Sequence, residues 1–250
     1  MILSRALEHL KQQHWTGVFI ELVIVVLGVF IGLQVDNWNQ ARHERALERE
    51  YLQRIYADTQ ATIDQHGNDS DAVQWNKDRL RTQALIINEL RSGVPPKKDR
   101  QEFDSGLLLF GYVGGVSARW STVEELQSTG SMAVIRDSSL RDLIGRTDAE
   151  IKRKSGIDAT FTRSINAYRQ QLGSRFAVAR FSGDFHDPRA IKLQYDFHAL
   201  ASDPAFINTL TQIDALSRMK LVNADAEMEY VRGLRDELAR RLHVDGSIAP

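Results

Sequence analysis

Seven histidines, two close carboxylate pairs and one glycine-rich stretch are the residues of this chain whose types could support chemistry. His186 and His198 stand in Asp184-Phe185-His186-Asp187 and Asp196-Phe197-His198, and the two phrases together offer four oxygen or nitrogen ligands to a metal ion. Neither has the i, i+4 helical spacing of a His-Glu-x-x-His zinc site. His9, His14, His43, His66 and His243 are spread through different segments. Surface or loop histidines are therefore the expectation, with no metal and no cofactor. Glu124-Glu125 and Asp148 with Glu150 are candidates for acid–base work. Adjacent residues on a helix point about 100° apart, so Glu124 and Glu125 do not converge on one substrate. They read better as a solvated face, or as first-turn acids favoured by the helix dipole. Gly111-Tyr112-Val113-Gly114-Gly115 lacks the Lys-Ser/Thr ending and the preceding strand of a phosphate loop. No nucleophile-elbow phrase is present either. No catalytic residue is assigned, and the chain is not expected to be an enzyme.

The 32 basic and 33 acidic residues nearly balance. That argues against a general nucleic-acid binder, which needs a basic excess to displace counterions from phosphates. With no cysteine, disulfides and thiolate chemistry are excluded. Five prolines in 250 residues favour long helices over a turn-rich β fold.

The strongest signal is physical rather than chemical. From Gly17 to Val35 only Glu21 and Gln34 are strongly polar, and Leu22 to Leu33 carries no polar residue. Trp15 and Trp38 bracket the run, where amphipathic rings sit at the two headgroup levels. At about 1.5 Å per residue they are roughly 35 Å apart, enough for a hydrocarbon core of about 30 Å. Each central Leu, Ile, Val or Phe favours insertion by about 0.3–0.6 kcal/mol, so the group supplies on the order of 4–8 kcal/mol. One carboxylate at the centre costs about 3 kcal/mol, and Glu21 lies off-centre. Insertion wins. No Ala-x-Ala-like site follows the run, so an uncleaved anchor is expected over 15–38, after a short tail over 1–14. Arg5 and Lys11 before it and Arg42, Arg45 and Arg49 after it place positive charge on both sides, so charge asymmetry does not set the orientation. A short tail before a long body is typical of an anchor that exports its body.

Within the anchor, Gly28-Val29-Phe30-Ile31-Gly32 is a Gly-x-x-x-Gly step, a flat patch where another helix backbone can come close. Glu21 falls on the same face, where a protonated carboxyl could bond across the interface. Helix pairing through Glu21, Gly28 and Gly32 is set against incidental glycines and a Glu that reaches the headgroups.

Beyond the anchor the pattern predicts an all-α body. A charged helical stalk spans 39–66, with Leu47, Tyr51, Leu52, Ile55 and Tyr56 at helical spacing, and Gly67-Asn68-Asp69-Ser70 breaks it. A bundle over 67–250 follows. Its second helix runs to about Arg91, with Val73, Leu80, Ile87 and Leu90 as core, and ends at Gly93-Val94-Pro95-Pro96. A third carries Phe103, Leu107 and Phe110 and stops at Gly114-Gly115. A fourth spans Ser121 to Ser128, with Gly130 as its left-handed cap. Asp137 or Ser138 caps a long helix through Leu140, Leu143, Ile144, Ile151, Phe161, Ile165 and Leu172. From about 181 to 203 the pattern fails, leaving a loop or a short element. Asp203-Pro204 opens a last helix of nearly 40 residues, bent or packed in an antiparallel pair, through Phe206, Leu210, Ile213, Leu221, Met228, Val231, Leu234 and Leu238. No strand-like alternation is sustained anywhere.

Two phrases resemble a bacterial single-pass membrane-protein family of unknown function. Its members carry an apolar N-terminal helix with an early Glu that ends in a Leu-Gln-Ile/Val-Asn-Asn-Trp-Asn-like phrase. Here it reads Leu33-Gln34-Val35-Asp36-Asn37-Trp38-Asn39, with Asp for the first Asn. The second family phrase, Tyr-x-Glu-Leu-x-Ser-x-Gly and then an Ile and a helix beginning near Leu-Arg, is similar to Val123-Glu124-Glu125-Leu126-Gln127-Ser128-Thr129-Gly130, Ile135 and Leu140-Arg141. Val123 replaces the aromatic, with Trp120 close by. The resemblance covers under a fifth of the chain. It implies an inner-membrane protein with a helical, periplasmic body, and it brings no activity.

The functional expectation is a membrane-anchored, non-enzymatic interaction or scaffold protein, with the lipid bilayer as one partner and homo-oligomers formed through the anchor and long helices. The alternative is a periplasmic sensor-like bundle that binds a small ligand and acts through a partner protein. An apolar strip left exposed on the long helices would favour the first. A pocket with convergent polar side chains would favour the second.

Overall fold

A computed structural model describes residues 15–67, 70–95, 100–181, 183 and 191–244, with side chains from Phe19 onward. The predicted tail over 1–14 and the cluster around His186 lie outside the described residues. The fold is all-α. Two compact units divide the chain, Met1–Glu50 and Tyr51–Pro250, and helix α1 (Trp15–His66) runs through both.

In the first unit α1 is an isolated helix. Its apolar stretch is long and apolar enough to cross a membrane, and none of it is buried against the rest of the chain. A soluble helix this apolar would have to hide one face, and here every side chain from Phe19 to Val35 is exposed.

The second unit begins with the last turns of α1, where Leu52, Ile55, Thr59 and Thr62 are buried. Helix α2 (Asp71–Ser92) starts at Ser70, whose side chain accepts the Val73 N–H, and stops at Gly93 in the left-handed region. Helix α3 (Arg100–Leu108) ends well before the expected Gly114-Gly115 stop. The reason is tertiary. Gly111, at φ 82°, lies so close to Ile213 and Ile165 that an added Cβ would sit 2.6 and 2.8 Å from them. The chain must turn there to let α3 pack, whatever its local helix preference.

Helix α4 (Ser121–Ser128) ends as predicted, with Gly130 at φ 68° just beyond it. A short 3-10 turn (Ser131–Val134) leads to α5 (Ser138–Leu172), whose N-cap Asp137 accepts the Leu140 N–H. Helix α6 (Phe197–Ala201) precedes α7 (Pro204–Leu242), capped by Asp203 with Pro204 in the first turn. The two long helices run antiparallel. Arg241 on α7 pairs with Asp137 at the start of α5, Asn223 donates to the Lys154 carbonyl at 3.0 Å, and Lys220 donates to Thr162 at 2.9 Å.

Between α5 and α6, where the sequence pattern leaves a loop or a short element, the structure has a short ribbon. Ala177–Phe181 (β1) and Ile191–Gln194 (β2) form an antiparallel two-stranded ribbon. Only Ile191 and Leu193 turn inward. Four residues of alternation are too few to stand out in sequence, and the outward strand β1 is exposed throughout. Asp104 on α3 fastens the ribbon, accepting the Leu193 N–H at 3.0 Å and the Tyr195 hydroxyl at 2.8 Å.

Two apolar clusters hold this unit. One joins Ile86 and Leu90 of α2, Phe103, Leu107 and Phe110, Ile165 and Leu172 of α5, the ribbon, and Phe206, Leu210 and Ile213 of α7. The other joins Leu52 and Ile55 of α1, Trp120, Val123 and Leu126, Leu140, Ile144 and Ile151 of α5, and Val231, Leu234 and Leu238 of α7. Burying each such side chain contributes about 1.5–3 kcal/mol against the entropy of ordering it.

Candidate functional site

Between the two clusters the core turns polar. On α7 four of the five buried positions between Ile213 and Val231 are polar, Ser217, Lys220, Asn223 and Glu227, and the fifth is Met228. Opposite the polar four stand Lys154, Asp158 and Thr162 on α5. Helix α2 packs on α7 as well, with Asn76 beside Leu221 and Met228 and Arg91 donating to Thr211, which brackets Arg79 and Gln83 between those two contacts. Lys220 lies 3.5 Å from Asp158. Other atoms in this waist have no hydrogen-bond partner: both amide atoms of Gln83, Ser217 Oγ, Glu227 Oε1, Asp158 Oδ1, and Nε and one terminal nitrogen of Arg79. Burying such groups without partners costs about 1–3 kcal/mol each. Burial, reinforced by the nearby Asp158 charge, pushes the Glu227 carboxyl up to about 7, and Lys154 opposes the shift. Burial likewise lowers the Arg79 guanidinium, against the pull of Asp78.

Beside the waist a small open crevice of about 90 Å³ lies among α1, α2, α7 and the segment after α3. Val73, Leu221 and Met228 give it an apolar wall, Lys77 and Asp225 stand at its exposed edge, and Gly114 and Gly115 close one side. The Asn76 amide grips Gly114 from both sides, donating to its carbonyl at 3.3 Å and accepting its N–H at 2.8 Å. A Cβ on Gly115 would stand 2.6 Å from Asp158. The glycine-rich stretch thus serves close packing, in keeping with its lack of phosphate-loop features.

The segment from Ser117 into the first turn of α4 is held by a ladder on one face of α1. Asp58 accepts the Thr122 N–H at 3.1 Å, Thr62 accepts that of Arg119 at 2.9 Å, and His66 Nε2 accepts that of Ser117 at 3.3 Å. The i, i+4, i+8 spacing of these three acceptors is legible in sequence, but only once the segment they serve is known. Burial lowers the His66 pKa, which keeps the ring neutral and able to accept.

The sequence candidates for chemistry scatter. Glu125 pairs with Arg54 and accepts the Tyr51 hydroxyl at 3.0 Å, whereas Glu124 points to solvent. Asp148 is buried and accepts from the Trp120 indole at 2.9 Å, Gln127 at 2.8 Å and Lys152 at 2.8 Å. Burial pushes its pKa up, but the donors from Gln127, Lys152 and Trp120 outweigh that and leave it below the ordinary carboxylate value. Glu150 pairs with Arg153 instead. His198 is exposed, its ring edge-on to Phe197.

In the first unit, Glu21, Gly28 and Gly32 share one side of α1 by helical spacing. A Cβ added at Gly28 or Gly32 would meet nothing within 4 Å, so that side is open. Trp38 is exposed, with the Arg42 guanidinium 5.7 Å above its ring. Trp15 opens the helix, and its side chain is outside the described residues. Compared with family models, with curated proteins and with solved structures, the chain matches none.

Proposed function

We propose that this protein is a membrane-anchored, non-enzymatic helical interaction protein that spans a bacterial inner membrane once, with its body on the periplasmic side. The observation that carries the reading is the fully exposed apolar stretch of α1, open on its Gly28 and Gly32 side. Water would penalise that surface, while lipid and a second helix would cover it. The family resemblance supports the inner membrane and the periplasmic side. Contacts in the body point the same way: Asp148, Asp104, Asp58 and His66 are engaged in holding elements together. An apolar strip on α7, formed by Met219, Val222 and Tyr230, is left exposed, which supports a role in protein contacts.

The test uses the full chain in its own membrane. Alkaline carbonate should leave it in the pellet, and protease added to spheroplasts should digest the body. Crosslinking should capture oligomers that weaken when Gly28 and Gly32 are both replaced by Leu. Release of the chain by carbonate would overturn the proposal.

The crevice supports a second reading, a sensor-like bundle. Lys77 and Asp225 put opposite charges at the edge of an apolar wall beside the unpartnered waist. Thermal shift of the full chain against a panel of zwitterionic small molecules tests it. A flat response across the panel would remove this reading and leave the first intact.

A further inference from the structure

The outward face of α7 carries a second apolar seam, separate from the one that faces α5. Ala215, Met219, Val222, Ala226, Tyr230 and Gly233 follow at steps of 4, 3, 4, 4 and 3. At about 3.6 residues per turn they remain in one narrow strip. Met219, Val222 and Tyr230 are 55%, 67% and 42% exposed. Ala215 and Gly233 are exposed beside them, and Ala226 is half-buried.

The strip reads nearly the same from either end. Laid antiparallel on a second copy about an axis level with residue 224, Met219 meets Tyr230 of the second copy, Val222 meets Ala226, and Ala215 meets Gly233. Small residues at both ends allow the backbones to approach, and a flexible thioether against a ring fills the space between. The charges on one flank follow the same symmetry. Arg218 and Asp214 already pair within the helix at 2.9 Å. The alignment brings Glu229 of the second copy within one residue of level with this Arg218, and Arg232 within two residues of level with this Asp214, opposite signs each time. Only Asp225 meets its own like, close to the axis. A parallel alignment sets Tyr230 on Tyr230 and Gly233 on Gly233, which mismatches bulk and forfeits the charge pairing.

We propose that two copies of this chain associate through antiparallel contact of their α7 strips. This rests on the reading that the body acts through protein contacts, and it names the partner. The absence of cysteine makes the test direct. Val222→Cys and Ala226→Cys variants of the full chain, carrying different tags, are co-expressed in membranes and mildly oxidised. A disulfide needs Cβ atoms about 4 Å apart, which the antiparallel alignment gives to the mixed pair but not to either variant with itself. The mixed-tag disulfide should exceed each self-disulfide at least fivefold. Asp225→Asn should raise its yield, Arg218→Glu should lower it, and Arg218→Glu with Glu229→Arg should restore it.

A dominant Val222→Cys self-disulfide would overturn the proposal in favour of parallel contact. Absence of all three disulfides would overturn it in favour of lipid or a different protein on the strip. Carbonate resistance and anchor association are measured on the same samples. Their survival would show that this proposal had failed without the reading it rests on.

Discussion

The two ends of the body and its waist are built from the same helices on opposite principles. At the ends, α7 offers Leu210 and Ile213, or Val231, Leu234 and Leu238, to neighbours that are equally apolar. In the waist the same face offers Ser217, Lys220, Asn223 and Glu227, and some of their atoms and their neighbours' atoms go unpaired. The ends therefore supply the stability and the waist spends part of it. The difference teaches that a continuous helical core need not be uniformly stabilising: a unit held by two apolar clusters can tolerate a costly layer between them.

The largest expected effect breaks an end. Phe110, fully buried, should cost about 3–5 kcal/mol when replaced by Ala, read by denaturant unfolding of the protein in detergent. Leu234→Ala should cost about 2–5 kcal/mol at the other end. If either change is as mild as a surface substitution, the ends are not the source of stability. Next comes Gly111→Ala, which combines a left-handed backbone with a Cβ pressed on Ile213 and Ile165. A loss of about 2–3 kcal/mol is expected in the same experiment.

The waist should respond with the opposite sign. Glu227 titrates near 7 when folded and near 4.5 when unfolded, so the folded state holds its proton longer. Stability contributed by this group is greatest below about pH 4.5 and falls as pH rises through 7. Glu227→Gln should remove that slope and raise stability at pH 8 by roughly 1–3 kcal/mol. Melting temperatures across pH 5 to 8 check it, and a variant that keeps the wild-type slope would show that Glu227 is not the group responsible. The smallest effect belongs to Gln83→Leu, which replaces two unpartnered amide atoms with apolar surface. A gain of about 1 kcal/mol is expected, and a loss would mean that the amide is paired in solution.

Legibility in the sequence followed the range of each interaction. Asp203-Pro204, Asp137, Gly93 and Gly130 mark helix ends at the expected positions, because a cap is settled within a few residues. The apolar helix was equally plain, since composition alone decides whether a helix prefers lipid. What could not be read depends on distant partners. Nothing local says that α3 stops at Leu108, because Ile165 and Ile213 force the turn at Gly111. The waist was invisible because apolar periodicity picks Leu221 and Met228 and passes over Lys220 and Glu227, which lie along the inward face. Asp148 stood out as a carboxylate, but its partner Trp120 lies 28 residues earlier, and only the fold brings them together.

That indole–carboxylate bond has an optical consequence. Of the tryptophans with described side chains, Trp38 is exposed and Trp75 half-buried beneath Arg79, while Trp120 is almost wholly enclosed. Its emission should lie to the blue of the others and shift to the red only when the cluster around α4 opens. The chain thus carries an intrinsic fluorophore at one end of its body, able to tell melting there from melting around the ribbon without any label.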